Sequence, residues 1–233
     1  MTEDVLVVVA AGPGLGRSVA LRFAREGLAV GLVARATDRL TDLAAELSAA
    51  GARSVATAAA DVGDEPSLRA AMGALRSELG PATVLVYNGS AYVEGAPTTL
   101  SADQLRLALD VGVVGALVAT QEAVPAMRSA GRGTVVLTGS VAADRASTSA
   151  AAVGVAKAAL RNLAMSLHKE LAPDEVRAVT VTIDGVLSGP KALDVDQIAE
   201  RYWQLHSADD VPAAEVSPAL LQQLYAREAR RAG

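Results

Sequence analysis

Ser140 and Lys157 carry the polar groups of this chain best suited to orient or protonate a small substrate, and Val153 stands beside them. All three follow from one stretch, in which Gly139-Ser140 precedes the run Ala151-Ala-Val-Gly-Val-Ala-Lys157. On a helix, positions i and i+4 share a face. A pocket that meets the Lys157 ammonium therefore also meets the inert isopropyl group of Val153. A lysine can become an acid near neutral pH if burial lowers its pKa, whereas valine has no proton to give. Ser140 can serve simply as a turn hydroxyl.

A second feature is rich in glycine. The sequence Ala10-Ala-Gly-Pro-Gly-Leu-Gly16 ends an apolar run and opens a helical pattern. Gly12, Gly14 and Gly16 let the backbone turn tightly, and the helix start at Leu15 presents free N–H groups to a pyrophosphate. The same glycines can serve close strand–helix packing alone. A strand before and a helix after, at the start of an alternating fold, favour the nucleotide. An NAD-preferring site usually has a carboxylate at the end of the second strand, on the ribose hydroxyls. Here that strand ends Leu32-Val33-Ala34-Arg35, with no carboxylate until Asp38. Arg35, with Arg17 or Arg39 nearby, suits a 2′-phosphate, so NADP(H) is expected over NAD(H).

These groups need a scaffold, and the hydrophobic pattern predicts one. Short apolar runs at Leu6–Val9, Ala29–Val33, Ser54–Ala59, Thr83–Val86, Thr134–Leu137 and Val179–Ile183 read as strands. Most are continuous instead of alternating, as expected of parallel strands covered on both faces. Helices fall between them. The first starts near Leu15, lines up Leu15, Val19 and Phe23, and stops at Gly27. Others are expected over Asp38–Ala50, from Glu65-Pro66 to Gly80, over Ser101–Arg128 and over Thr148–Leu171. The last two are rich in Ala, Gly and Val, which favours close helix packing. Repeated alternation of this kind predicts an α/β fold, a single-domain doubly wound parallel sheet of Rossmann-like type. The pattern weakens after Ile183. Asp194–Ser207 reads as an amphipathic helix with Tyr202 and Trp203 on its apolar face, placed to cover a pocket. His206 ends it, and His168 reads as a surface residue. Ser217–Ala232 reads as a C-terminal helix.

Composition narrows the function classes. The 233 residues are 51% hydrophobic, enough for one large core in a single domain over 1–233. Cysteine is absent and only two histidines occur, so no protein-built metal site is expected. The net charge of −5 argues against general affinity for nucleic acid. The apolar residues 5–11 are too short to span a bilayer, and Glu3 and Asp4 do not suit a secretory signal. A cytoplasmic protein with no membrane association is the expectation.

From about Val5 to Gly189 the chain resembles the short-chain dehydrogenase/reductase family. The first-turn pattern of that family, Thr-Gly-x-x-x-Gly-x-Gly, falls on Val9, Ala10, Gly14 and Gly16; the two later glycines match. Asp61-Val62 matches an Asp-Val pair whose aspartate meets the adenine. Tyr87-Asn88-Gly89-Ser90 stands where the family has Asn-Asn-Ala-Gly. Gly139-Ser140 falls on its catalytic serine, and Lys157 on the lysine that holds the nicotinamide ribose. The resemblance implies an Asn–Ser–Tyr–Lys set in which tyrosine exchanges a proton with the substrate oxygen. Here the asparagine position is Gly112 and the tyrosine position is Val153. The Pro-Gly pair after the sixth strand becomes Asp184-Gly185.

Loss of the tyrosine removes a general acid worth roughly 10²–10⁴ in rate. Two replacements are open: Lys157 itself, or Tyr87, Tyr92 or Asp184 entering from the strand ends, where ligands sit in such folds. The two tyrosines can equally line a rim, and Asp184 can cap a turn. Three functions follow as expectations. One is an atypical NADP(H)-dependent oxidoreductase of a small apolar carbonyl or alcohol compound. The second is a non-redox isomerase, lyase or cyclase in a crevice enlarged by Val153 and Gly112. The third is a non-catalytic binding or scaffold partner. The resemblance also implies a homodimer or homotetramer through helices 101–128 and 148–171.

Overall fold

Six largely apolar strands, each followed by a helix, build one parallel sheet. The computed structural model describes residues 4–36, 38–187, 189 and 192–207. The strands are β1 (Val5–Val9), β2 (Ala29–Ala34), β3 (Ser54–Ala59), β4 (Val84–Tyr87), β5 (Gly133–Ser140) and β6 (Val176–Ile183). Their order is β3-β2-β1-β4-β5-β6, and every neighbouring pair is parallel. The direction of winding reverses between β1 and β4, which opens a crevice at the carboxyl ends of those strands.

Side chains alternate across the sheet, so each strand supplies two cores. Val5, Val7, Val9, Leu85, Tyr87, Val135 and Leu137 face one layer. This layer contains α3 (Glu65–Leu79), α5 (Gly115–Ala130) and α6 (Ala151–Leu171). Leu6, Val8, Val84, Val86 and Val136 face the other, with α1 (Leu15–Ala24), α2 (Asp38–Ala50) and α7 (Val195–Ser207). A small third cluster joins Val93, Ala108, Ala152 and Ala156, between the loop after β4, α4 (Ala102–Leu109) and α6.

Local signals set the helix ends. The Asp64 side chain accepts the Ser67 amide at 3.1 Å, with Pro66 in the first turn of α3. Ser101 and Gln104 form a reciprocal capping box at α4, which satisfies two otherwise unpaired amides. Gly27, at φ 80°, closes α1 in the left-handed conformation that glycine adopts without penalty.

Three sequence expectations change. The helix expected over Ser101–Arg128 contains a π-turn, Asp110–Val114, between α4 and α5. The helix expected from Thr148 begins at Ala151. The amphipathic helix α7 lies along α1: Trp203 meets Phe23 edge to face at 5.2 Å, and Arg22 stacks over the Trp203 ring at 4.9 Å. The Ala102–Ala130 stretch is long and apolar enough to cross a membrane, and half of its most apolar window is buried inside the fold. The expected helix at Ser217–Ala232 lies outside the described residues.

Candidate active site

The first βα turn forms an open cradle. Ala10 takes φ 62°, and its carbonyl accepts the Gly12 amide at 2.9 Å and the Asn88 side-chain amide at 3.4 Å. The Ala11 amide bonds the Val33 carbonyl at 2.9 Å, tying the turn to β2. At Gly16 a Cβ would sit 3.1 Å from Ala11 Cα, so glycine permits the close approach of α1 to the strand end. Gly12 and Gly14 are different: a Cβ there would meet nothing within 4 Å, because both face open space. Gly14 caps α1 without a side-chain bond, and the first turn holds no acidic residue. Unpaired amides, the positive end of the helix dipole and free volume coincide, which fits a pyrophosphate.

The flanks of the cradle are consistent with the rest of a dinucleotide. Arg35 is exposed immediately after β2 and makes no ion pair among the described residues. Arg17 is taken by Glu46, with Nε to Oε2 at 2.8 Å, and the Arg39 side chain lies outside the described structure. Asp61 is exposed and accepts the Gly63 amide on Oδ1 at 2.9 Å. Val62 is buried beneath it. Asn88 is half-buried and Gly89 buried at the end of β4.

The Lys157 ammonium and the Ser140 hydroxyl both stand at the carboxyl end of β5. Lys157 is 6% exposed, and its Nζ donates to the Thr138 carbonyl at 2.7 Å. Burial alone lowers its pKa to about 8. The Ser140 hydroxyl accepts the Ala142 amide at 3.2 Å and so opens a short 3₁₀ turn, Val141–Ala143. The start of α6 presses on that turn: a Cβ on Gly154 would lie 2.9 Å from the Ala142 carbonyl oxygen. Val153 is half-buried one helical turn before Lys157. Gly112 is buried in the π-turn, and a Cβ there would come within 3.2 Å of the Ala156 Cβ.

The replacement acids named from sequence are placed elsewhere. Tyr87 is fully buried and its hydroxyl donates to the Val111 carbonyl at 2.5 Å. Burial raises its pKa. It is a core residue and not a rim aromatic. Tyr92 is 74% exposed on the loop after β4. Asp184, after β6, is clasped by both arms of the Arg145 guanidinium at 2.6 and 3.0 Å. No local pattern around Asp184 announces a partner 39 residues away. Tyr202, on α7, shares a 2.8 Å hydrogen bond with Thr138 Oγ1; Thr138 thus anchors α7 through its side chain and Lys157 through its carbonyl. His206 does more than end a helix: its Nδ1 lies 3.1 Å from Thr134 Oγ1, and burial lowers its pKa. His168 is half-buried, not a surface residue, with no hydrogen-bond partner at Nδ1.

The fold agrees with what known proteins show. Residues 4–193 match the family model described as short chain dehydrogenase. The chain is 25% identical over 209 residues to an uncharacterized oxidoreductase of Staphylococcus aureus strain N315, covering 86% of this chain and 89% of that protein. It is 34% identical over 185 residues to a (2S)-[(R)-hydroxy(phenyl)methyl]succinyl-CoA dehydrogenase subunit of Thauera aromatica, covering 78% of this chain and 72% of the other. A short-chain dehydrogenase/reductase from Serratia marcescens superposes with a TM-score of 0.84 at 26% identity, over 92% of this chain and 95% of that one. An NAD⁺-bound xylitol dehydrogenase shares the fold with a TM-score of 0.86 at 19% identity, over 93% and 97% of the two chains. The chain belongs to the short-chain dehydrogenase family.

Proposed function

We propose that the chain is an NADP(H)-binding oxidoreductase of a small apolar carbonyl or alcohol compound. The observation that carries this is the open cradle at Gly12 and Gly14 with the Arg35 cation beside it. Gly12, Gly14, Leu15 and Gly16 would hold the pyrophosphate, Asp61 and Val62 the adenine end, and Asn88, Gly89 and Lys157 the nicotinamide end. The bound nicotinamide supplies or accepts hydride; the chain's own residues orient the oxygen and move the proton. Val153 within the site, and Val186 and Leu187 exposed after β6, support an apolar substrate. Titration of the protein with NADPH and NADH, followed by cofactor fluorescence, tests the reading. NADPH should bind at least tenfold more tightly, and Arg35→Ala should remove that preference. Binding of neither nucleotide would overturn it.

A second reading is favoured by one finding: the Thauera aromatica relative is named as a subunit of a dehydrogenase. With Val153 in place of a proton donor, this chain could be the nucleotide-holding half of a two-chain enzyme. Leu107, Val114 and Leu117 on the α4–α5 helix and Val155 and Met165 on α6 are exposed apolar side chains, which supports association through those helices. Sedimentation velocity on the purified chain separates the cases. A homodimer or homotetramer supports self-association, and a monomer favours a different partner chain.

A further inference from the structure

We infer that Lys157 is itself the proton donor of this site, doing directly what a neighbouring hydroxyl would otherwise do. The inference rests on the oxidoreductase reading above.

It follows from where the other proton-bearing groups are. Among the described residues, the Tyr87 hydroxyl is committed to the Val111 carbonyl. The Tyr202 hydroxyl is bonded to Thr138 in the α7 layer. Both Asp184 carboxyl oxygens are committed to the Arg145 guanidinium. Tyr92 stands out in solvent. His206 lies at the other end of β5, beside Thr134, and His168 far along α6. Lys157 differs from all of these. An ammonium has three hydrogens to donate, and Nζ has one acceptor among the described residues, the Thr138 carbonyl. It retains hydrogens for a second oxygen, beside the Ser140 turn and one turn from a side chain that cannot compete.

Charged neighbours do not hold the proton on. Around α6 stand Asp103 and Arg106 of α4, Asp110 of the π-turn, Glu122 and Arg128 of α5, Asp144 and Arg145 after β5, and Asp184 after β6. Arg161 and Glu170 lie on α6 itself, Asp174 just beyond it, and Arg177 on β6. Asp103 pairs with Arg106, Arg128 with Glu170 and Asp174, Arg145 with Asp184 and Arg161 with Asp144, while Glu122 pairs with Arg69 and Arg76 of α3. Arg177 reaches the Leu205 carbonyl, and none contributes to the Lys157 shift, which burial causes alone. The resulting value of about 8 is close to the operating pH at which a general acid is most effective.

In reduction, the carbonyl carbon takes hydride from a dihydronicotinamide as the C=O π bond breaks onto oxygen. That oxygen takes a proton from the Lys157 ammonium. The neutral amine regains a proton from water.

The test begins with the free protein. The chain has three lysines, Lys157, Lys169 and Lys191, so side-chain NMR of lysine-labelled protein resolves each titration. Lys157 should titrate near pH 8 while an ordinary lysine titrates near about 10.4. Turnover is then followed with NADPH and 1-phenyl-1,2-propanedione. The rate should fall about tenfold per pH unit above the Lys157 midpoint. Lys157→Arg, whose guanidinium does not deprotonate in this range, should lose at least 100-fold in rate at saturating NADPH. A Lys157 that titrates like the other lysines, a flat rate profile to pH 10, an arginine variant of undiminished rate, or NADPH binding with no turnover would each overturn the proton-donor role and leave the nucleotide site standing. Absence of NADPH binding would overturn the oxidoreductase reading itself.

Discussion

The Tyr87 hydroxyl reaches from the end of β4 to the Val111 carbonyl, 2.5 Å away in the π-turn. Two glycines make that reach possible. A Cβ on Gly89 would lie 2.6 Å from the Tyr87 ring, and one on Gly115 would lie 2.3 Å from its hydroxyl and 2.4 Å from the Val62 carbonyl oxygen. Tyr87, Gly89, Gly115 and the π-turn are therefore one unit, and this unit sets Gly112 against Ala156, next to Lys157.

Tyr87→Phe removes the hydrogen bond and keeps the ring. The expected cost is about 1 kcal/mol of global stability, the net worth of one buried hydrogen bond. Amide exchange across Asp110–Val114 should accelerate more than in the rest of the sheet layer. Chemical denaturation and hydrogen exchange measure the two effects, and unchanged protection across the π-turn would count against the coupling.

The sheet was readable because its strands are continuous apolar runs, and the boundaries failed where buried polar residues extend them. Thr138 and Ser140 prolong β5, and Thr138 is buried only because Tyr202 takes its hydroxyl. No local pattern announces a partner 64 residues away. The π-turn was hidden for a related reason: the helical periodicity of residues 101–128 runs through it. Its one sign was the pair Gly112 and Gly115, and the second glycine acquires meaning only beside Tyr87. The clasp of Asp184 by Arg145 spans 39 residues and was equally invisible. The cradle was legible because turn, glycines and helix start are contiguous in sequence. Groups brought together by topology were not.

Ala10 holds φ 62° in that cradle, a conformation costing a residue with a Cβ roughly 1 kcal/mol or more relative to glycine. Ala10→Gly should remove the strain. Part of the gain is lost to the greater freedom of glycine in the unfolded chain, leaving a net stabilisation of about 0.5 kcal/mol. Urea denaturation should show a higher midpoint with an unchanged slope, and a lower midpoint would show that the turn relaxes around alanine.

Lys157 also gives the free protein a pH-dependent stability. Its folded pKa of about 8 lies below the ordinary lysine value of 10.5. Between the two the unfolded chain binds more protons than the folded one, so stability rises with pH in that window. Below pH 8 the folded state bears the full cost of a buried ammonium. The whole shift corresponds to about 3 kcal/mol, of which about 2 kcal/mol is gained between pH 8 and 10. The raised pKa values of the buried Tyr87 and Tyr202 act in the opposite sense, and only above about pH 10, where an unfolded tyrosine begins to ionise. Denaturation from pH 7 to 10 should therefore show a rise in the wild type and a flat profile in Lys157→Met.

Val153→Tyr places a phenol one helical turn before Lys157, on the same helix face. The lysine ammonium would favour the ionised phenol and bring its pKa down, giving a second acid better matched in reach to a substrate oxygen. General-acid catalysis of this kind is worth roughly 10²–10⁴, so diketone reduction with NADPH should rise by at least tenfold over a wild type that relies on lysine alone. The rate–pH profile should shift with it, since the proton would then come from the phenol. NADPH affinity, read by fluorescence, should change little, because the cradle at Gly12–Gly16 lies on the first βα turn, away from this helix. A variant that binds NADPH normally and gains no rate would show that the Ser140 hydroxyl, held by the Ala142 amide, no longer orients a carbonyl in line with position 153.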